Sequence, residues 1–152
     1  MLTLYRLIIN VVCFFAPIIF RIRIYKQKED ESRYKEKLCI IKKKRIAGKL
    51  VWFHAASVGE LMSIIPILER FEKIKEIKTI LITTNTISSS RIFEKKIKSK
   101  KIIHQFFPFD KHIFTKKFLN HWLPDLVIFV ESEIWPNFIF NIKSRKIPLI
   151  LL

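Results

Sequence analysis

The sequence predicts an α/β fold built on a parallel, Rossmann-like sheet. Five short apolar runs follow residue 49, and they are continuous instead of alternating, as in strands that are buried on both faces. Segments with helical spacing of apolar residues separate these runs, and such alternation favours a parallel sheet with right-handed crossovers. Half of the 152 residues are apolar, so the chain can bury a packed core.

Residues 1–24 are predicted to form a membrane-anchor helix. The uncharged segment from Leu7 to Phe20 contains Pro17 and is shorter than the ~20 residues of a typical spanning helix. A cleaved signal peptide is less consistent with the sequence, because Arg21 follows without a cleavage site of small residues. A short tilted anchor, a helix lying in the membrane interface and a buried core helix remain as interpretations.

Residues 25–49 are predicted to be a basic linker or an exposed helix. Twelve basic and four acidic residues lie between Arg21 and Lys49, and they supply half of the net charge of +16. Basic residues beside an apolar segment favour the cytoplasmic leaflet of a membrane. The total charge is less informative than its position, because lysine and isoleucine are abundant throughout the chain.

Residues 50–152 are predicted to form the sheet domain. Pro66 falls inside the first predicted helix, so this helix either kinks there or begins later with Pro66 in its first turn. The cysteines and histidines lack the spacing of metal ligands, and we expect no metal site and no cofactor. The predicted strands begin at Leu50, Thr79, Lys101, Leu126 and Pro148, and the predicted helices cover 60–75, 88–98, 111–122 and 137–146.

The end of the first predicted strand carries candidate chemistry in residues 54–60 (HAASVGE). Small residues let a backbone approach a ligand, and Gly59, one of two glycines, is predicted to occupy a turn that other residues cannot adopt. Glu60 would lie at a helix N-terminus, which favours an ionised carboxylate. Such a carboxylate can accept a proton from a hydroxyl group, but a helix-capping role is equally consistent with the sequence.

The end of the fourth predicted strand carries a second group in residues 131–137 (ESEIWPN). Glu131 closes an apolar strand, where a carboxylate is costly unless it is solvated or paired. Trp135 is either a binding platform or a core residue, and the core is the more usual place for a tryptophan. Ligands of such sheets bind outside the carboxyl ends of the strands, so Glu131 and Glu60 are expected to face one crevice. Paired carboxylates indicate sugar chemistry only weakly, because hydrolases use them too.

Both stretches closely resemble the N-terminal signatures of the bacterial 3-deoxy-D-manno-octulosonic acid (Kdo) transferases. Residues 108–110 (PFD) and 147–149 (IPL) resemble two weaker stretches of that family. The resemblance implies the N-terminal domain of a metal-free, inverting glycosyltransferase of the B-type fold, which serves lipopolysaccharide biosynthesis. It also implies a lipid A precursor as acceptor, CMP-Kdo as donor, and a place on the cytoplasmic face of the bacterial inner membrane.

The resemblance also implies roles for individual residues. Glu60 matches the proton acceptor, and Glu131 matches a carboxylate that stabilises the transition state. The sequence departs from the family near residues 33–39, where glycines are usual and Lys35 and Cys39 stand instead. The candidates for the acceptor site are Ser57, Gly59, Glu133 and Asn137.

The resemblance runs along the chain, whose length is less than half that of a typical member. Residues 50–152 are therefore expected to be a truncated acceptor domain, with CMP-Kdo bound by an absent C-terminal domain and with doubtful activity alone. An inactive membrane-associated fragment is one alternative. A basic nucleic-acid-binding module is another, but the aromatic residues lie in apolar runs and are not interleaved with basic ones, so we expect no nucleic-acid partner.

Overall fold

The computed structural model describes residues 1–131 and 134–152, and it confirms the predicted parallel α/β fold. The sheet has the strand order β3-β2-β1-β4-β5, and all four neighbouring pairs are parallel. Each predicted strand start lies within two residues of the observed one. The strands are β1 (Lys49–His54), β2 (Ile77–Thr84), β3 (Ile102–Phe106), β4 (Leu126–Phe129) and β5 (Leu149–Leu151).

Two helices cover each face of the sheet and divide the core into two layers. Side chains of successive strand residues point to opposite faces, so Phe53 packs with α2 and α3 while Trp52 packs with α4 and α5. Both side chains are fully buried. The helices of the domain are α2 (Val58–Glu72), α3 (Ile87–Lys96), α4 (His112–Trp122) and α5 (Pro136–Ser144).

Helix α2 continues through Pro66. The helix begins at Val58, eight residues before the proline, so the alternative in which it starts later is wrong. Ser57 caps its N-terminus by accepting a hydrogen bond from the backbone N–H of Glu60.

The N-terminal helix α1 (Leu2–Tyr25) is longer than the uncharged segment that predicts it. By its length and composition, α1 could cross a membrane. Only 11% of its most apolar 18-residue stretch is buried inside the protein. The interpretation as a buried core helix is therefore wrong. One stripe, which includes the buried Ala16 and Phe20, packs on the sheet domain, and the opposite side leaves large apolar side chains exposed.

Part of residues 25–49 packs along the outer edge of β3, although most residues of this segment are exposed. The carboxylate of Glu36, in a 3-10 helix at Tyr34–Leu38, accepts a hydrogen bond of 2.7 Å from the backbone N–H of Phe106. This contact satisfies a donor that an edge strand otherwise leaves unpaired. Cys39 is buried in a left-handed conformation (φ 57°) that favours glycine, in the stretch where the resembled family has glycines.

The same edge buries His104 in a neutral form. The Arg33 guanidinium lies 2.8 Å from His104 Nδ1, so this nitrogen is the acceptor, and the other ring nitrogen lies 2.9 Å from the Thr84 hydroxyl. Burial, with added repulsion from Arg33 and Lys43, holds the pKa of His104 well below its usual value.

Acid is therefore expected to destabilise the sheet edge through His104. The unfolded chain takes up the proton near the ordinary pKa of ~6.5, whereas the folded chain does not, so stability is lost as the pH falls below that value. The loss is ~1.4 kcal/mol per pH unit until the folded pKa is reached. Denaturant unfolding in mild detergent at pH 7 and pH 5.5 measures it. His104→Gln should flatten the dependence, and an unchanged dependence in that variant would contradict this account.

Candidate functional site

The carboxyl ends of β1 and β4 form the switch point of the sheet. The two strands are hydrogen-bonded neighbours, and His54 at the end of β1 pairs with Phe129 at the end of β4. The chain leaves β1 into α2 on one face, whereas α5, which follows β4, lies on the other face. Connections that diverge in this way open a crevice above the strand ends, where α/β proteins bind ligands.

Glu60 lies in the first turn of α2, at the rim of this crevice. Its side chain is 8% exposed, and its Oε2 accepts a hydrogen bond of 2.7 Å from the backbone N–H of Ala56. Within residues 1–131 and 134–152, its second oxygen, Oε1, accepts no hydrogen bond. The carboxylate is thus held in one orientation by the loop and by the positive end of the helix, with one oxygen available for a proton.

Ser57 and Gly59 are exposed on the same turn. The Ser57 hydroxyl accepts the N–H of Glu60 at 3.2 Å and so fixes the start of the helix. The prediction that Gly59 occupies a turn unique to glycine is wrong, because it lies inside α2 without a positive φ. Among the residues that the structure describes, a Cβ at Gly59 would meet only the Ser57 hydroxyl oxygen, at 3.9 Å. The missing side chain therefore leaves space at the rim and relieves no backbone strain.

Glu131 lies two residues beyond the end of β4. It is exposed and has a left-handed backbone (φ 59°), and its N–H donates to the carbonyl of Leu152. Glu133, another candidate, lies outside the described residues.

Asn137, in the first turn of α5, is fully buried. Its amide nitrogen donates to the carbonyl of Asp110, and its amide oxygen accepts a hydrogen bond of 2.8 Å from Arg6 of α1. In this structure, Asn137 thus joins α1, α5 and the loop after β3.

Asp110 is a site residue whose role the sequence did not show. Its carboxylate accepts the N–H groups of Asn137 and Phe138, each at 2.9 Å, and the hydroxyl of Tyr5 at 2.8 Å. It therefore caps α5 from a distant loop and ties α1 to the same point. Burial raises the pKa of Asp110, although these donors oppose the shift. A capping signal in sequence lies directly before its own helix, so no local pattern could identify this one.

Aromatic side chains connect the end of β1 with the wall of a cavity beneath α1. The ring of His54 stacks on Phe107, with centroids 3.8 Å apart, and Trp135 packs against Phe107 at 5.1 Å. Trp135 is half-buried and also lines the cavity, so it contacts the core and faces a possible binding site. In the described part of the chain, no three His, Cys, Asp or Glu side chains are grouped so that they could hold a metal ion.

Comparison with known proteins identifies relatives of one kind. The family model described as 3-deoxy-D-manno-octulosonic-acid transferase matches residues 32–152. A 3-deoxy-D-manno-octulosonic acid transferase of Rickettsia bellii is 42% identical over 134 residues, which cover 88% of this chain and 32% of that protein. The family match thus spans both strand ends of the crevice and residues 32–49 of the basic segment.

Two further relatives agree with this match. A probable mitochondrial 3-deoxy-D-manno-octulosonic acid transferase of Arabidopsis thaliana is 38% identical over 82% of this chain and 28% of its own length. A 3-deoxy-D-manno-octulosonic acid transferase of Rickettsia prowazekii is 48% identical over 59% of this chain and 19% of its own length. The chain thus aligns with between 19% and 32% of the length of these three relatives.

Proposed function

We propose that this chain, which belongs to the Kdo transferase family, is the acceptor side of a glycosyltransferase. The enzyme transfers Kdo from CMP-Kdo to a lipid A precursor, lipid IVA, in lipopolysaccharide biosynthesis. The observation that carries the proposal is the adjacency of β1 and β4, whose carboxyl ends are followed by the Glu60 turn and by Glu131. The nucleotide sugar is bound outside these 152 residues, in a donor domain, and no metal takes part.

Glu60 is the proton acceptor in this proposal. A hydroxyl oxygen of the acceptor sugar attacks the anomeric carbon of Kdo while its proton moves to Glu60 Oε1. The bond between that carbon and the phosphate oxygen of CMP breaks on the opposite side, so the configuration inverts and CMP leaves with the electron pair. The Ala56 N–H holds the other Glu60 oxygen at 2.7 Å, so the base is oriented before the acceptor binds.

Glu131 stabilises the transition state from the neighbouring strand end. Positive charge develops on the sugar ring as the bond to CMP breaks, and an ionised carboxylate at the crevice attracts that charge. Ser57 and Gly59 shape the acceptor side of the rim, with the hydroxyl of Ser57 holding the helix start and the open space at Gly59 admitting the sugar. Glu133 and Asn137 complete the proposed acceptor site, Asn137 by holding the start of α5 against the loop after β3.

The apolar helix α1 is compatible with a membrane anchor. In our proposal it holds the domain to the cytoplasmic face of the bacterial inner membrane, where a lipid acceptor is available. Arg21, Lys26 and Lys28 are exposed near its C-terminal end, and each adds ~1 kcal/mol of attraction when it lies near an anionic surface. Anchoring by an apolar helix together with a basic cluster needs no nucleic-acid or protein partner.

The proposal is tested with a full-length chimera, in which these 152 residues replace the matching part of the Rickettsia bellii relative. Purified chimera is incubated with CMP-Kdo and lipid IVA, and the product is identified by mass spectrometry. We expect a lipid IVA whose mass has increased by one or more Kdo residues. A folded, membrane-bound chimera that releases no CMP and forms no product would contradict the proposal and favour an inactive membrane-associated fragment.

A further inference from the structure

A cavity of about 300 Å³ lies between α1 and the carboxyl edge of the sheet. Its walls are mainly apolar side chains from α1 and from the segments that follow β3 and β4. Apolar cavities of this size with few polar groups are typical of small-molecule binding sites. The apolar walls are formed by Val12, Ile19, Phe20, Phe107, Phe109 and Trp135.

The charged groups at one end of this cavity are paired with one another. The carboxylate of Glu29 lies 2.7 Å from the Lys37 ammonium and 3.0 Å from the Arg23 guanidinium. Lys37 also donates to the backbone carbonyl of Asn85 at 2.9 Å. These two cations and one carboxylate leave a net positive charge at this end, whereas the rest of the wall is mainly apolar. The apolar part of the cavity fits hydrocarbon.

The cavity continues into the exposed apolar side of α1. Val12 lines the cavity and is also 41% exposed, and its helix neighbours Ile8 and Phe15 are 52% and 48% exposed. If α1 lies against a membrane, as we propose above, this rim faces lipid. A hydrocarbon chain can then pass from the bilayer into the cavity without crossing water.

Asn85 connects the cavity to the turn that carries the proposed base. It lines the cavity, and its N–H donates to the carbonyl of Ala56, whose own N–H binds Glu60 Oε2. Two hydrogen bonds along the Ala56 backbone therefore connect the cavity wall to Glu60. Phe107, which also lines the cavity, stacks on His54 at the end of β1.

We infer that this cavity holds one acyl chain of the lipid acceptor, so that the sugar of the same molecule lies over the β1–β4 crevice beside Glu60. The inference rests on the proposed function for the identity of the acceptor. Moving a chain from bilayer to cavity exchanges one apolar environment for another, so burial alone does not select the acceptor over other lipids. Selection arises because only the acceptor places its sugar in the crevice when its chain is in the cavity.

The test uses photochemical labelling of the 152-residue chain in phospholipid nanodiscs. One arm contains lipid IVA with a diazirine near the end of an acyl chain, and the other contains a phosphatidylethanolamine with the same diazirine chain. Labelled residues are mapped by mass spectrometry. We expect lipid IVA to label the cavity walls at 107–109 and 135, and the phospholipid to label mainly the exposed side of α1. Equal labelling of the walls by both lipids would overturn the assignment to the acceptor.

A matched pair of variants tests the cavity itself. Ile19→Trp fills the cavity, whereas Ile18→Trp adds the same side chain at a neighbouring position that is 58% exposed. We expect Ile19→Trp to lower wall labelling by lipid IVA at least about tenfold, a loss of ~1.4 kcal/mol in binding, and Ile18→Trp to leave it unchanged. Unchanged labelling in Ile19→Trp would overturn the inference. If that variant does not fold, Val12→Trp replaces it.

The labelling readout is independent of sugar transfer. Glu60→Gln should label as the native chain does, because Glu60 does not line the cavity. Wall labelling by lipid IVA together with a chimera that transfers no Kdo would leave the lipid site standing and reject the proposed reaction. Kdo transfer without wall labelling would reject the acyl-chain site alone.

Discussion

Glu60→Gln in the full-length chimera is expected to lower turnover by about 10²–10⁴-fold, the contribution of a positioned acid or base. Glutamine retains an oxygen that can accept the Ala56 N–H, so the turn and the start of α2 should stay intact. It cannot take up the hydroxyl proton. The loss should therefore appear in kcat, with little change in KM for lipid IVA. Steady-state release of CMP at saturating CMP-Kdo measures both constants.

Glu69→Gln is the matched control, because it makes the same change on an exposed turn of the same helix. It should turn over like the unsubstituted chimera. If Glu60→Gln also retained turnover within a few-fold, Glu60 would only anchor the loop, and the proton acceptor would have to be sought elsewhere in the crevice.

Asp110→Ala is expected to lower the free energy of unfolding by about 3–5 kcal/mol, because three donors lose a buried acceptor at roughly 1–3 kcal/mol each. The substitution leaves the N–H groups of Asn137 and Phe138 and the hydroxyl of Tyr5 without their acceptor. Buried donors that lose their partner incur the full cost of desolvation. Urea unfolding of the chain in mild detergent measures the change.

Tyr5→Phe separates the contributions of the two helices to this network. It removes one hydrogen bond to a charged acceptor and keeps both contacts with α5, so it should cost about 1.5–3 kcal/mol at most. A result in which Asp110→Ala costs no more than Tyr5→Phe would mean that the carboxylate does not hold α5. Asp110 would then be a contact of α1 alone.

Asp110 matters for the site because it connects the anchor helix to the crevice. The loop that carries Glu131 leads into α5, whose first N–H groups bind Asp110. Tyr5 of α1 binds the same carboxylate, and Arg6 binds Asn137 beside it. The orientation of α1 relative to the crevice is thus fixed by polar contacts. This geometry is consistent with our proposal of a membrane-associated enzyme with a lipid substrate.

The strands, the helices and both site turns could be predicted from the sequence because each depends on a local pattern. Continuous apolar runs predict β1 and β4, and the parallel arrangement with its ligand edge follows from their alternation with helices. Glu60 and Glu131 could therefore be placed at the ligand edge of one sheet. The prediction of a special turn at Gly59 is wrong. A glycine in a short motif can indicate either a special backbone turn or space for a neighbouring group, and only the tertiary structure distinguishes the two.

What the sequence by itself determined, then, is the order of elements, the anchor-like N-terminus and the two carboxylates at the strand ends. Only the tertiary structure decided how α1 and the basic segment pack, and which residues hold the site. Tyr5 meets Asp110 across 105 positions, Arg6 meets Asn137 across 131, and Glu36 reaches the edge of β3 across 70. These contacts join side chains with no common period or motif. They form because a buried donor or acceptor must find a partner wherever the packed fold brings one within reach.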